Sequence, residues 1–319
     1  SICTGCARGC NILISSRENK IYRQTPRENN EVNSAWMCDS GRMHYHTLEA
    51  KRRLTDPMIK SGKSHEVIDW PTAILKATRG LSKFSGEEIA IIGSAGMTNE
   101  ELFLLKTLSS TLNAGIVDVV KVEGEGDEYL SHKDKRPNTN GAKAILKLRN
   151  PGSKINTIKK RIKDGEIKAL LVYGENVIKH GIDKETLKNL KFLVCSHIQA
   201  NSLAEFSNVI LPGSGYAEKR GSMINATGRL QVLNKAIEPP GQSREDWEIL
   251  QDLNRSLDGK DQITEIADLF SEMANQVSII KQKTLSSIGD LGVNVVETGE
   301  TVPLLEREAK RVREGLIVG

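Results

Sequence analysis

Four cysteines near the start of the chain have the residue type and spacing of metal ligands. Cys3, Cys6, Cys10 and Cys38 form the pattern C-x2-C-x3-C-x27-C, and Cys195 is the only other cysteine among 319 residues. Thiolates are soft ligands that suit zinc and iron–sulfur clusters. Three of the four share one eight-residue loop, and the fourth comes from a distant position. This 3+1 arrangement predicts a [4Fe–4S] cluster, because one loop can hold three of its irons while a separate residue holds the last.

A zinc site is the main alternative for these cysteines. Structural zinc usually takes its ligands from two short pairs, a layout that the lone Cys38 does not provide. On this alternative the chain would be a zinc-stabilised interaction module without a redox role. A disulfide pair is disfavoured, since no secretory signal precedes the cysteines. Gly5 and Gly9 favour the cluster, because they leave room for the backbone to approach its sulfides.

The bulk composition excludes two classes of protein. A net charge of +4 from 45 basic and 41 acidic residues gives no field strong enough to predict nucleic-acid binding. Aromatic residues, at 4%, are also too few to form base-stacking platforms. The longest apolar runs, residues 88–93 and 169–173, are of strand length. A transmembrane helix needs about 18 apolar residues or more, so no membrane-spanning segment is expected.

Residues 1–58 are predicted to form a compact head around the cysteines. A hairpin is expected over residues 11–23. The head has too few large apolar side chains to fold alone, so we expect a bound cluster to stabilise it. We also expect it to dock on the rest of the chain through Trp36, Leu48 and Leu54.

After the head, the pattern changes to alternating strands and helices. Residues 88–93 predict a strand, and Thr98 with Glu101 predicts a capping box that opens a helix. Leucines then recur at a helical period until Gly115, which is expected to stop the helix. The next strand is expected at residues 116–122.

A second series of the same kind follows a polar stretch. We expect a helix, a strand, a helix and two strands, in that order, at residues 155–163, 169–173, 184–190, 192–195 and 208–211. Such alternation is typical of a parallel sheet covered by helices. An amphipathic helix is expected over residues 263–285, and the residues beyond it follow no clear pattern.

These patterns predict an α/β fold class and divide the chain into four segments. They are a [4Fe–4S]-binding head at 1–58, a first α/β unit at 59–153, a second α/β unit at 154–262, and a helical and irregular tail at 263–319.

Three motifs have a residue spacing that composition does not explain. They are, in chain order, the cysteine pattern ending in Cys38-Asp39-Ser40-Gly41-Arg42, the passage Arg53-Leu54-Thr55-Asp56-Pro57, and the segment from Phe206-Ser207-Asn208-Val209-Ile210-Leu211-Pro212 through Glu218-Lys219-Arg220-Gly221 and Asn225-Ala226-Thr227-Gly228-Arg229-Leu230-Gln231 to Asp246-Trp247. Together they resemble the molybdopterin oxidoreductase superfamily and, within it, the family of the large iron–sulfur subunit of respiratory complex I. The resemblance runs through most of the chain.

The resemblance implies a fold and a function. The fold would be a small [4Fe–4S]-binding head followed by two parallel-sheet, Rossmann-like α/β units. The function would be electron transfer within a proton-translocating NADH:quinone oxidoreductase, through one [4Fe–4S] cluster held by Cys3, Cys6, Cys10 and Cys38, with no independent active site in this chain. The partners would be other iron–sulfur and flavin subunits, with no nucleic acid. The chain would lie in a peripheral arm on the cytoplasmic face of a membrane and touch that membrane only through its partners.

Two departures from the family lead us to expect no molybdopterin. Catalytic members commonly carry Lys or Arg two residues after the fourth cysteine, between cluster and pterin, and Ser40 stands there. Catalytic members are also much longer, with a further domain that closes over a bis-pterin nucleotide. The alternative is that this chain is part of a molybdenum or tungsten bis-pterin oxidoreductase such as formate dehydrogenase. Because the chain opens at Ser1, we expect preceding residues to be missing, and in the family that part is ferredoxin-like with further clusters.

Smaller signals each allow two interpretations. The turns at 93–96 and 174–176 follow strands, so each is either a phosphate-cradling loop, vestigial here, or a plain turn. The polar segment 127–141 is a surface loop that contacts partners or a nucleotide remnant, or is merely solvated. His44 and His46 lie just beyond the fourth cysteine and either tune a cluster by hydrogen bonding or are solvated.

Cys195 ends a predicted strand. Its ordinary interpretation is a buried free cysteine rather than a metal ligand.

Overall fold

The computed structural model describes residues 1–49, 51–260 and 263–315. Within these ranges the strands are β1 (Ile12–Arg17), β2 (Lys20–Pro26), β3 (Met58–Ser61), β4 (Ser64–Val67), β5 (Gly86–Ser94), β6 (Ala114–Val120), β7 (Ala169–Tyr173), β8 (Phe192–His197), β9 (Val209–Pro212), β10 (Gly221–Ile224), β11 (Arg229–Leu233) and β12 (Val293–Asn294). The α-helices are α1 (Asp39–Arg42), α2 (Trp70–Leu81), α3 (Asn99–Thr111), α4 (Thr139–Leu146), α5 (Ile155–Lys163), α6 (Lys184–Leu187), α7 (Asp246–Asp258), α8 (Ile266–Gln276), α9 (Leu285–Ile288) and α10 (Pro303–Arg313). The end of the predicted tail, 316–319, lies outside the described residues.

The centre of the fold is a seven-stranded sheet of order β6-β5-β7-β8-β9-β3-β4. The strands from β6 to β9 are parallel, whereas β3 pairs antiparallel with both β9 and β4. The chain leaves β5 for the outer strand β6 and then returns to the other side of β5 to form β7. The strand order therefore reverses between β5 and β7.

This architecture confirms the predicted α/β class with a parallel sheet. Strands from both predicted α/β units lie in the one sheet, and the boundaries of the four segments stay a prediction.

Alternating apolar side chains along β5 explain why helices cover both faces of the sheet. Ile89 and Ile91 belong to one buried cluster, which includes residues of α2, α3, α7 and α8. Ala90 and Ile92 belong to a second buried cluster, which includes residues of α5 and α6. A strand with apolar residues at every position needs a layer on each side, because successive side chains point to opposite faces.

The start of α3 is as predicted, but its end is not. Thr98 and Glu101 form the capping box, with both reciprocal hydrogen bonds present. The helix ends at Thr111 rather than at Gly115, because Asn113 adopts a left-handed conformation with φ 49°. Gly115 instead lies within β6, where an added Cβ would stand 2.7 Å from the Cα of Glu87. The glycine therefore permits close strand contact and does not stop the helix.

The helix expected at 263–285 is also shorter than predicted. It spans α8 only, because Val277 is extended at φ −108° and ψ 105° and is buried against the core. A short 3-10 turn, Ser278–Ile280, follows. The tail, where no clear pattern was found, contains α9, β12 and α10. The helix expected at 184–190 is a single turn, α6.

The head docks on the body partly as predicted. Leu48 and Leu54 are buried, and Leu48 lies in an apolar cluster with Tyr216. The prediction for Trp36 is wrong, since its side chain is 57% exposed and its indole N–H donates a hydrogen bond to Glu308 of α10. A polar partner on a surface helix therefore keeps the ring out of the core.

Glu100 is a fully buried acid that joins α3 to β10. Its carboxylate accepts hydrogen bonds from the backbone N–H and the hydroxyl of Ser222, at 2.8 and 2.7 Å. Burial raises the pKa of Glu100 to about 7, although the bonds from Ser222 oppose the shift. The folded state therefore holds a proton that the unfolded state releases above about pH 4.5. The free energy of unfolding therefore falls as the pH rises from about 4.5 to about 7.

We expect Glu100→Gln to remove much of this pH dependence. The difference in free energy of unfolding between pH 5 and pH 8 should shrink by on the order of 2 kcal/mol relative to the unmodified chain. Urea denaturation at the two pH values measures it. Glu272→Gln, at an exposed position of α8, is the control. Equal pH dependence in all three proteins would contradict the prediction.

Candidate metal centre and adjoining cleft

The four predicted ligands line one cavity of about 250 Å³. Cys3 and Cys10 are buried at its inner side, and the backbone N–H of Cys3 donates to the carbonyl of Cys10 at 2.8 Å, which closes the loop. Cys6 and Cys38 are partly exposed. Cys38 is the N-cap of α1, where its sulfur accepts a hydrogen bond from the backbone N–H of Gly41 at 3.3 Å. The fold therefore brings all four cysteines together.

The shape of the cavity suits a group larger than one ion. The four thiols line a space of about 250 Å³. Gly41 borders this space, and an added Cβ there would lie 3.4 Å from the sulfurs of both Cys3 and Cys38. Gly5 has the same role, with 3.6 Å to the sulfur of Cys3. The residues present thus fit a four-iron cluster.

The protonation of the inner thiols also depends on a bound metal. Burial raises the pKa of Cys3 to about 12 and raises the pKa of Cys10 well above its ordinary value. Such thiols keep their protons near pH 7 unless a metal replaces them.

Body residues hold the cysteine loop from outside. The amide of Gln231 donates to the carbonyl of Gly9 at 2.9 Å, and that of Asn225 donates to the carbonyl of Arg8 at 3.1 Å. Gly9 adopts φ 66°, and an added Cβ would stand 2.5 Å from the Gln231 side chain, so glycine is required there. The backbone N–H of Ala226 donates to the carbonyl of Ala7 at 2.7 Å. The long third motif found in the sequence therefore serves the cysteine loop directly.

The polar segment 127–141 is not a merely solvated loop. Leu130 is buried beside Cys3 and Cys10, in an apolar cluster that also contains Val302 of the tail. Arg8 fastens this cover, with Nε donating to the carbonyl of Leu130 and Nη1 to the carbonyl of Thr301, both at 3.1 Å. Because the segment is rich in charged residues, the sequence pattern did not predict this packing.

The two histidines separate in the structure. His44 lines both the cysteine cavity and an adjoining cleft, and its Nε2 lies 3.1 Å from the hydroxyl of Thr4. Burial lowers the pKa of His44. His46 is exposed, and its Nδ1 lies 2.8 Å from a carboxylate oxygen of Glu49. Of the two, His44 therefore stands where hydrogen bonding could tune a cluster.

The cleft, of about 470 Å³, lies at the carboxyl ends of β5 and β7. The strand order reverses there, which is where open α/β sheets bind ligands. Glu175, directly after β7, is 2% exposed and fills the base of this crevice. Its carboxylate accepts from the hydroxyl of Ser94 at 2.5 Å and from Arg136 at 2.7 Å, and it lies 3.2 Å from Nε2 of His180. The two predicted turns thus bind each other.

This arrangement does not suit two pterin dinucleotides. A cavity of this size takes one drug-sized ligand, whereas each dinucleotide also carries a pyrophosphate. The Glu175 carboxylate already binds Arg136 and lies 3.2 Å from Nε2 of His180, so these two side chains have a partner within the cleft. A bis-pterin group would therefore have to displace these contacts of Glu175 from the cleft.

A buried ion cluster forms the wall of the cleft. Nζ of Lys219 lies 2.8 Å from Glu101 and 3.1 Å from Asp246. Burial lowers the pKa of Lys219, but these two carboxylates reverse the effect and leave it raised. The amine is therefore charged at neutral pH.

Cys195 is buried in the sheet core as a free thiol, and burial raises its pKa to about 12.

Comparison with known proteins agrees with this architecture. Residues 1–46 match the family model described as NADH-ubiquinone oxidoreductase NDSU1/NuoG-like, 4Fe-4S domain, and residues 119–256 match the model described as molybdopterin oxidoreductase. No described helix is long and apolar enough to cross a membrane.

Three relatives illustrate the range of similarity. The chain is 24% identical to the mitochondrial 78 kDa subunit of NADH-ubiquinone oxidoreductase from Candida albicans, over 80% of this chain and 52% of that protein. It is 36% identical to the alpha subunit of F420-dependent formate dehydrogenase from Methanocaldococcus jannaschii, over 34% of this chain and 17% of that protein. The structure of acetylene hydratase from Pelobacter acetylenicus shares the fold, with a TM-score of 0.65 at 9% identity, over 97% of this chain and 78% of that chain.

The chain spans about half the length of the first relative and under a fifth of the second. The matches to the head and to the body nevertheless agree with the motifs that the sequence showed. The chain therefore joins a segment that matches a NuoG-like 4Fe-4S domain to a segment that matches a molybdopterin oxidoreductase domain.

Proposed function

We propose that this chain is an electron-transfer subunit of a complex I-type NADH:quinone oxidoreductase, with one [4Fe–4S] cluster held by Cys3, Cys6, Cys10 and Cys38. The observation that carries the proposal is the single cavity lined by all four cysteines, inside the segment that matches a 4Fe-4S domain. A bound cluster would supply one-electron chemistry without a reacting substrate in this chain.

The residues around the cavity have separate roles in this proposal. The four thiolates hold the group, and Gly5 and Gly41 leave it room. Gln231 and Asn225 fix the backbone of the ligand loop. The apolar cover, which includes Leu130 and Val302, keeps water from the inner thiolates. A dry, rigid surrounding suits electron transfer, because little has to rearrange when the charge changes.

The body would serve as the scaffold that joins this cluster to neighbouring redox subunits. Those partners would be flavin and iron–sulfur subunits of the same assembly, with NADH oxidation and quinone reduction carried out by them. The chain would lie in a peripheral arm and reach the membrane through partners. The similarity to a complex I subunit over 80% of this chain supports this placement.

A molybdenum or tungsten enzyme is the second candidate, favoured by the similarity to a formate dehydrogenase. The size of the cleft and the Glu175 carboxylate within it argue against this candidate.

Two measurements on the native protein with its partners decide between these functions. On our proposal, rapid-freeze EPR after mixing with NADH shows the signal of this cluster within one turnover. Elemental and pterin analysis finds neither molybdenum nor tungsten in stoichiometric amount. Stoichiometric metal with two pterins would establish the second candidate, and a cluster that NADH never reduces would contradict electron relay.

A further inference from the structure

One cation from the body reaches the cysteine cavity. Lys135 lines this cavity together with the four cysteines, although it is 97 residues beyond Cys38 in sequence. It belongs to the segment that covers the ligand loop. The inference drawn from it rests on the proposed function, since it concerns a bound cluster.

The backbone at Lys135 is fixed against the loop. The N–H of Lys135 donates to the carbonyl of Val122 at 2.7 Å. One residue earlier, the carbonyl of Asp134 accepts from the backbone N–H of Ala7, within the ligand loop, at 2.8 Å. The side-chain stem passes Gly124, where an added Cβ would stand 3.1 Å from Cε. The position of the amine is therefore set by the fold.

The charge of Lys135 has no acidic partner among the described residues. Its Nζ donates to the hydroxyl of Ser131, at 3.1 Å, and no carboxylate lies within ion-pair distance of it in that part of the chain. The amine is half-buried and its hydrogen-bond partner is neutral. Its positive charge therefore acts on any group bound in the cavity.

The other polar residues near the cavity do not place a positive charge at its lining. Ser40 is neutral, and burial lowers the pKa of His44. Arg8 does not line the cavity and donates to two carbonyls of the cover, although it lies close enough to Cys6 and Cys10 for its charge to act on them. Lys135 is thus the cation that borders the cavity within the described residues.

We propose that Lys135 sets the reduction potential of the cluster by electrostatic stabilisation of its reduced form. An all-thiolate four-iron cluster carries a charge of −2 when oxidised. It gains one electron from a neighbouring one-electron carrier, and its charge becomes −3 with no proton taken up. A fixed positive charge beside it favours the more negative state and so raises the potential. Lys135 is a positioning residue, since it acts through the cluster.

The test is a redox titration of the cluster, followed by EPR. We expect Lys135→Met to retain the cluster absorption, and the ratio of reduced to oxidised cluster at a fixed solution potential to fall about tenfold, equal to about 59 mV for one electron. Lys135→Arg keeps the charge and should stay within about threefold of the unmodified protein. Lys133→Met removes an exposed charge two residues away and should also shift the ratio by less than about threefold.

Lys135→Gln is made in parallel, because it keeps a polar tip for Ser131. A shift in Lys135→Met no larger than that in Lys133→Met would overturn the inference, as would a full shift in Lys135→Arg. Loss of the cluster from both neutral variants would overturn it too, since Lys135 would then be structural. A protein with no four-iron signal at all would instead reject the proposed function.

Discussion

Replacing Cys10 by alanine is expected to abolish the cluster and loosen the head while the sheet stays folded. Cys10 is one of the two inner ligands that we propose and is buried with Ile12 and Leu130. Without a cluster, the head loses what stabilises its loops, because its own apolar core is small. The sheet has extensive buried clusters on both faces and should persist as a separate cooperative unit.

Hydrogen exchange read by mass spectrometry measures this outcome. In Cys10→Ala we expect exchange in residues 1–46 to accelerate roughly a hundredfold or more, while β5, β7 and β8 remain protected. Assembly with partner subunits should fall. Cys195→Ala is the matched control, because it removes a buried cysteine far from the cavity and should leave the head protected. Uniform loss of protection along Cys10→Ala, or an undisturbed head, would show that this division is wrong.

Replacing Lys219 by methionine should cost about 3–5 kcal/mol of stability at neutral pH, because the substitution leaves two buried carboxylates, Glu101 and Asp246, without their cation. Burial raises the pKa of Glu101, and losing Lys219 removes the attraction that opposes the shift. Lowering the pH protonates Glu101 in the folded state, so the cost should shrink towards pH 5.

Denaturant unfolding at pH 5 and pH 7.5 tests this expectation. The triple variant Lys219→Met, Glu101→Gln, Asp246→Asn removes all three charges and should recover most of the loss at pH 7.5. Lys160→Met, at an exposed position of α5, should change stability by less than about 0.5 kcal/mol. A loss in Lys219→Met that is the same at both pH values would contradict an electrostatic origin.

The main elements of the body could be predicted because their signals are local. The strand 169–173 and the helix 155–163 have the bounds that the pattern predicted. The capping box at Thr98 likewise depends on residues within one turn. Where a distant contact decided the outcome, prediction failed. Gly115 was expected to end a helix. It lies instead in a strand, where any side chain would collide with Glu87 of the neighbouring strand.

The gathering of the four cysteines at one cavity could be predicted from their spacing, but the surroundings of that cavity could not. Leu130 and Lys135 lie in a charged segment whose composition resembles a solvated loop, and only the fold brings them to the cavity. Glu175 likewise meets Ser94 because β5 and β7 are neighbours in the sheet. Gln231 was found through its motif, yet its contact with the ligand loop required the structure.

Mössbauer spectroscopy of the native chain labelled with iron-57, together with iron and acid-labile sulfide analysis, tests the presence and ligation of the cluster most directly. We predict four irons and four sulfides per chain, with the spectrum of an all-thiolate [4Fe–4S] cluster, and loss of that spectrum in Cys38→Ala. Stoichiometric zinc in place of iron, or an unchanged four-iron spectrum in Cys38→Ala, would contradict a four-cysteine cluster.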